Sequence, residues 1–276
     1  MAPEELRPVE LDAYLAQPSE AEREFRRLFS PALPLVIFDI GACEGEDSVR
    51  YSRIYPRARI LAFEPLPANQ TLVRANFSRY STVQAELVPV ALSDHEGDAV
   101  FHVSSGRPAD PFAGENWNYG NKSSSLLAPA SPSPMHGWIN FKESIVVRTT
   151  TLDSFCASRN LRHIDFIQMD VQGAERLVLD GASAMLPRIG AIWLEVANRE
   201  LYRGQSLDRE IMRFMRSHGF ALAFETYRDA STGEGDHLYV NLRHPRSWIY
   251  LAGRGCSALL RRMRSVARRV LQPKNK

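Results

Sequence analysis

The sequence predicts a doubly wound α/β sheet closed by an antiparallel hairpin. Short apolar runs alternate with amphipathic stretches along most of the chain, as strands alternate with helices in a parallel sheet. The apolar runs end in carboxylates at Asp39, Glu64, Asp170 and Glu195. The last two strand-like runs, 220–226 and 237–242, are joined by a Gly-bearing link (231–235) short enough for a hairpin.

The elements follow in order. Residues 1–30 carry helical spacing at Leu11, Tyr14, Leu15, Phe25 and Leu28, cut into pieces by Pro8 and Pro18. After a stop at 31–34, Leu-Val-Ile-Phe-Asp (35–39) reads as a buried strand, the glycine turn 40–45 follows, and a helix runs over 46–55 until Pro56. A second buried strand spans 59–64, a helix 67–80, a third strand 86–91, and a shorter alternating strand 99–103. Residues 104–140 are rich in Ser, Pro, Gly and Asn without periodicity, the signature of a functional lid or an insertion. Strand 145–149, helix 151–159, strand 164–170, helix 174–186, strand 191–195 and helix 207–218 complete the body, with Gly219 at the natural stop of the last helix.

Composition bounds the class. With 276 residues, 44% apolar and 24% charged, the chain is ordinary globular material, which excludes a disordered chain, a collagen-like repeat or a disulfide scaffold. No window approaches the ~20 consecutive apolar residues of a membrane-spanning helix. The acidic opening Met1-Ala2-Pro3-Glu4-Glu5 lacks the basic-then-apolar order of a secretory signal. Cys43, Cys156 and Cys256 form no close pair and no C-x-x-C, which fits a reducing, cytoplasmic setting and argues against zinc.

In open α/β sheets ligands sit at the carboxyl ends of the strands. The turn Asp39-Ile-Gly-Ala-Cys-Glu-Gly45 lets backbone approach a ligand, and Glu64, 25 residues after Asp39, can accept both hydroxyls of a ribose. The spacing is G-x-x-x-G, not G-x-G-x-x-G, and Glu44, Glu46 and Asp47 crowd the turn with nothing basic near them in sequence. Such a turn repels a pyrophosphate and suits cationic S-adenosylmethionine better than NAD. The bland alternative is a plain strand-to-helix turn.

These residues resemble the FkbM-type methyltransferases, S-adenosylmethionine-dependent O-methyltransferases, over roughly 35–225. The likeness rests on Phe38-Asp-Ile-Gly-Ala-Cys-Glu-Gly45, Ala62-Phe-Glu-Pro65, Val90-Ala-Leu-Ser-Asp94 with Gly97, Ser123-Ser-Ser-Leu-Leu127, Thr150-Thr-Leu-Asp153 and the run 164–175 from Ile164 to Glu175. It implies a Rossmann-like class I methyltransferase fold with a seven-stranded, mostly parallel sheet. It also implies that Asp39, Gly41 and Gly45 cradle the methionine half of the cofactor, that Glu64 holds the ribose, that Ser93 and Asp94 sit beside the adenine, and that Asp170 faces the reacting centre. The family usually has Asn where Cys43 sits, Lys where Gln168 sits and often Glu where Gln172 sits. Gln168 therefore removes a positive charge expected near the active site.

Methyl transfer to a hydroxyl needs alignment of the acceptor oxygen and removal of its proton. Asp170, Glu195 and His237 are the candidate bases, and His136 is a further one if 104–140 folds over the acceptor. Asp170 could equally orient the cofactor's amino group or cap a helix, and Glu175 reads as a local ion-pair partner. Asp170 and Glu195 alone fall short of a metal's ligand set, and no metal is expected. Trp117, Tyr119 and the neighbouring Asn116, Asn118, Asn121 and Trp138, with Ser124 and Gln172, suit stacking on and bonding to a sugar. An insertion that merely happens to hold aromatics is the alternative.

From His237 to Lys276 the chain has eight arginines, two lysines and no acidic residue, although the whole carries a net charge of only +2. Leu259, Leu260, Met263, Val266 and Val270 fall on one helical face among arginines, which suits an anionic membrane surface, with a solvated helix docked on the acidic body as the alternative. Nucleic acid is not expected, because the body is acidic and no recognition motif accompanies the tail. The sequence thus reads as a helical lead (1–30), a methyltransferase domain (31–245) with a lid or acceptor insertion (104–140), and a basic amphipathic tail (246–276). The expected activity is O-methylation of a hydroxyl on a sugar, glycan precursor or related metabolite. A catalytically weak binding scaffold with a membrane-surface tail and an NAD-dependent oxidoreductase are the rival readings. Oligomeric state is not legible.

Overall fold

Near-continuous burial along the central strands feeds two cores, one on each face of the sheet. The structure, a computed structural model, describes residues 11–109, 118–130, 136–226 and 229–253. In chain order its elements are α1 (Asp12–Ala16), α2 (Glu20–Leu28), β1 (Val36–Ile40), α3 (Glu46–Ile54), β2 (Arg59–Phe63), α4 (Pro67–Arg79), β3 (Ala85–Val88), β4 (Ala91–Leu92), β5 (Gly97–Ser105), β6 (Asn140–Thr150), α5 (Leu152–Ser158), β7 (Ile164–Met169), α6 (Glu175–Asp180), β8 (Ile189–Ala197), α7 (Asp208–Ser217), β9 (Phe220–Glu225) and β10 (Glu234–Asn241). A last helix, α8, spans 245–253.

The seven-stranded sheet has the order β3-β2-β1-β7-β8-β10-β9. It is parallel except for β10, which runs antiparallel to both β8 and β9, as the short link predicts. Strand order reverses between β1 and β7, so the crevice of this fold opens at their carboxyl ends. Phe38, Ile40, Leu61, Phe63, Ile167 and Met169 face one core, under α5, α6 and α7. The alternate residues Ile37, Ile60, Phe166 and Trp193 face the other with Phe25 of α2, Tyr51 of α3 and Tyr250 of α8.

Several boundaries differ from the sequence reading. The strand expected over 86–91 is two strands, because Pro89 has no N–H to continue the ladder. β3 stays in the main sheet, and β4 joins β6 and β5 in a second, three-stranded sheet. β5 and β6 are longer than the alternation suggested, pairing from Gly97↔Thr149 to Ser105↔Asn140. The helix expected over 174–186 stops at Asp180, where a Cβ on Gly181 would lie 2.1 Å from the Ser93 carbonyl oxygen. The lead is not a separate piece: Phe25 stacks on Phe166 at 4.0 Å, and the buried Arg50 guanidinium meets Glu22 at 2.8 Å. Nor does the domain end at 245, because α8 docks on the body through Tyr250, which bonds Glu24, and Trp248 Nε1, which donates to Leu242 O at 2.9 Å. The amphipathic stretch from 254 onward lies outside the described residues.

Candidate active site

The turn after β1 is built for close approach. Gly41 has φ +84°, and a Cβ there would lie 1.8 Å from the Asp170 carbonyl oxygen, so the ends of β1 and β7 touch through a glycine. Gly45 opens α3 at φ +77°, and a Cβ there would meet the Phe77 ring at 2.8 Å. Asp39 lies beneath the turn, buried, and accepts the Ser48 hydroxyl at 2.6 Å, which ties β1 to α3. Burial first and Asp47 second push its carboxyl well above the usual range.

Glu64 closes β2. Its Oε2 accepts from Cys43 N at 2.9 Å and its Oε1 from Leu66 N at 2.8 Å, which leaves each oxygen further acceptor capacity toward the cleft it lines. Burial pushes its carboxyl up to about 7. Beside it the cleft encloses about 530 Å³, part of it open to solvent, with Phe63, Val90, Leu92, Phe101 and Leu126 forming an apolar end. Ser93 and Asp94 sit one step beyond this wall. Ser93 N is spent on Thr150 O at 3.0 Å, and Asp94 pairs with His95 at 2.7 Å near the surface. Val90, Ala91 and Leu92, rather than Ser93 or Asp94, line this part of the cleft.

At the other end Asp170 opens into the cleft from the tip of β7. Gln172, in left-handed backbone at φ +55°, donates its amide nitrogen to Asp170 Oδ1 at 2.7 Å and to Glu195 Oε2 at 3.0 Å. Tyr202 Oη lies 2.8 Å from Gln172 Oε1 and 2.8 Å from Ser123 O. One side-chain amide thus joins the ends of β7 and β8. Loss of hydration raises the carboxyls of both Asp170 and Glu195, with Gln172 pulling Asp170 back and Asp170 pushing Glu195 further. Glu175 is not an ion-pair partner: its Oε1 accepts Val171 N and Gly173 N, both at 3.2 Å, and so fixes the loop carrying Gln172.

The segment read as a lid brings Asn118, Asn121 and Ser124 to the site and adds Lys122, which the sequence did not flag. Ser125 pairs with His102 of β5 through N–H···O contacts of 2.8 and 3.1 Å, so the second sheet aims 118–126 across the strand ends. Asn118 and Asn121 donate to Glu44 Oε1 at 3.1 and 3.2 Å, and Asn121 donates to Asn69 at 2.9 Å. Lys122 Nζ lies 2.9 Å from Glu46 Oε1 and 3.6 Å from both Glu44 Oε1 and Cys43 Sγ. The acidic turn is therefore offset by a cation 76 residues away from Glu46, not left bare as its local sequence suggested. Its third acid, Asp47, meets Arg50 at 3.3 Å. Ser124 lines the cleft and accepts from Ser104 N at 3.0 Å.

Other predicted site residues are not brought to the cleft. His237 is buried on β10 against Tyr239, its ring nitrogen 3.1 Å from that hydroxyl. Its neighbour Asp236 is the residue in register with Glu195, so the pleat turns His237 to the opposite face. Tyr119 is buried, edge-on to Trp138 at 6.0 Å, and His136 stacks on the same Trp138. Trp117 lies outside the described residues. Gln168 faces α3, accepting the Tyr51 hydroxyl at 2.9 Å, and does not line the cleft. Among the described residues no group of three or more His, Cys, Asp or Glu is placed to hold a metal ion.

A family model described as Methyltransferase FkbM domain matches residues 39–222, which spans both walls of this cleft. The chain belongs to the FkbM methyltransferase family. It is 35% identical over 208 residues to the 2-O-methyltransferase NoeI of Sinorhizobium fredii, covering 75% of this chain and 80% of that protein. It is 27% identical over 203 residues to the 31-O-demethyl-FK506 methyltransferase FkbM of Streptomyces tacrolimicus, covering 69% and 74%. It is also 28% identical over 249 residues to the antimetabolite synthetase AmbE of Pseudomonas aeruginosa, covering 81% of this chain but only 12% of that longer protein. The chain is an S-adenosylmethionine-dependent O-methyltransferase, and the cleft fits that cofactor. The acceptor pair of Glu64 and the apolar wall around Val90 suit its adenosine half, and the glycine approach at Gly41 suits its methionine half. The scaffold and oxidoreductase readings fall with this assignment.

Proposed function

We propose that this methyltransferase acts on a hydroxyl of a sugar or sugar-like metabolite, with Asp170 as the base that receives the hydroxyl proton. The observation that carries this reading is the amide of Gln172 held between two carboxylates at the open end of the cleft. Carboxylates and amides bond the vicinal hydroxyls of sugars in both directions. When bound, S-adenosylmethionine supplies an electrophilic methyl on sulfur. The protein aligns the acceptor oxygen and takes its proton. Asp170 is suited to both, since it lines the cleft and its raised carboxyl makes it a stronger base than an ordinary aspartate. Gln172 and Glu195 fix its orientation. The likeness to a 2-O-methyltransferase supports an oxygen as the methyl acceptor. Incubation with labelled S-adenosylmethionine and a panel of mono- and oligosaccharides, polyketides and lipids tests this. Label in a saccharide is expected, and label only in polyketides or lipids overturns it.

We further propose that the carboxyl-terminal region contacts an anionic membrane. Trp248 and Ile249 are 58% and 74% exposed on α8, directly before the basic stretch that begins at Arg254. Aromatic and aliphatic anchors followed by arginines suit an anionic lipid surface. Flotation with vesicles containing phosphatidylserine is expected to carry the full chain and to lose it at high salt. Equal flotation with neutral vesicles, or none, overturns the proposal.

A further inference from the structure

The charged side chains that line the cleft are Glu64, Asp170 and Lys122. S-adenosylmethionine carries a sulfonium, an α-ammonium and an α-carboxylate. A cleft with two acids and one base is the charge complement of that ligand, and of these three charges only the base attracts the carboxylate. We infer that Lys122 recognises the α-carboxylate of the cofactor's amino-acid tail, so that the segment 118–126 takes part in cofactor binding as well as in covering the acceptor. The inference rests on the cofactor assignment and is independent of which acceptor is methylated.

The position supports the role. Glu64 and the apolar wall fix the adenosine at one end, and Asp170 marks the reacting end. Lys122 stands beside Cys43 and Asn121, next to the glycine turn that approaches the ligand most closely. Its ammonium is held in place by Glu46 at 2.9 Å and Glu44 at 3.6 Å rather than swinging in solvent, and its side chain keeps 26% of its exposure. A carboxylate arriving there meets a preorganised donor at little ordering cost. Glu44 is itself fixed by Asn118 and Asn121, so one of the two acids that hold Lys122 is anchored on the same segment that delivers it. Charge-assisted bonds of this kind are about twice as strong as neutral ones.

The test compares two ligands that share the adenosine and thioether but differ in the amino-acid tail. S-adenosylhomocysteine has the α-carboxylate, and 5′-methylthioadenosine has none. Calorimetric titration of each into the wild-type chain, Lys122→Met and Lys122→Arg reads the role without any turnover. Lys122→Met is expected to weaken S-adenosylhomocysteine by roughly tenfold or more, to leave methylthioadenosine within about twofold, and so to collapse the preference between them. Lys122→Arg is expected to keep most of it. Unchanged methylthioadenosine binding also shows that the variant is folded. Equal weakening of both ligands, or of neither, overturns the assignment. A wild-type chain that binds neither would instead overturn the cofactor reading on which it rests.

Discussion

The two walls of the cleft are assembled in different ways. The wall toward the adenosine is local: Glu64 takes its bonds from Leu66 two residues away and from Cys43 twenty-one residues away. The opposite wall is held at long range, with Asn121 bonded to Glu44 across 77 residues and Tyr202 to Ser123 across 79. A strand-to-helix turn can be specified by a glycine and a carboxylate in sequence. A side chain carried on a second sheet cannot be placed until both sheets are folded. The adenosine wall is therefore specified by a few short motifs, whereas the opposite wall depends on the segment that crosses it from the second sheet.

The largest effect is expected where the two walls meet. Gly41→Ala places a Cβ on the Asp170 carbonyl in left-handed backbone, and we expect a loss of about 3 kcal/mol or more together with all S-adenosylhomocysteine binding. Urea unfolding and calorimetry check this. A variant within about 1 kcal/mol of wild type would mean that the walls do not touch there. Next is Asp170→Asn, which keeps the bond geometry and removes the base. Turnover is expected to drop about 10²–10⁴-fold, with S-adenosylhomocysteine affinity nearly unchanged. An equal loss in binding would make Asp170 a cofactor ligand, the alternative its position also allows.

How far the sequence revealed each wall follows the same division. Gly41, Glu64 and Asp170, which line the cleft, were legible because each sits at a strand end or in the turn after it, marked by an apolar run, while Asp39 and Gly45 frame the same turn without lining it. Lys122 was not legible, since no periodicity surrounds it and its acidic partners lie on another element. Pro89 could have foretold the break between β3 and β4, because a proline has no N–H for a central strand. His237 misled because its position near a strand end says nothing about which face the pleat gives it. Ser93 and Asp94 came from family habit alone, and the backbone here spends Ser93 on β6 instead.

Buried carboxyls give the two walls pH signatures of moderate size. Glu64 is raised to about 7 and Glu175 to about 8, burial being the main cause in both. The folded state thus holds protons that the unfolded chain has released above its ordinary carboxylate range. Stability from these groups is complete at low pH and falls as pH rises through about 7 and 8 respectively. Glu175→Gln is expected to flatten the decline in melting temperature from the ordinary carboxylate range up to about pH 8. At Glu64 the ionised form is the better acceptor for ribose hydroxyls, so S-adenosylhomocysteine affinity is expected to rise with pH up to about 7 and then level. Glu64→Gln should bind more weakly and without that rise. A flat wild-type profile would remove Glu64 from ribose binding.

The smallest effect separates family habit from local geometry. Gln168 stands where the family usually has lysine, which suggested a missing active-site charge. Its side chain instead faces α3, in register beside Asp39 and bonded to Tyr51, on the side of the sheet away from the cleft. Gln168→Leu loses one hydrogen bond, worth about 1 kcal/mol, and should leave kcat and KM within about twofold, since nothing that touches either ligand moves. Stability and initial-rate measurements on this variant check both halves. A rate loss comparable to that of Asp170→Asn would mean that the helix face beneath β1 steers the reaction, and that the lower side of the sheet belongs to the site as much as the two walls above it.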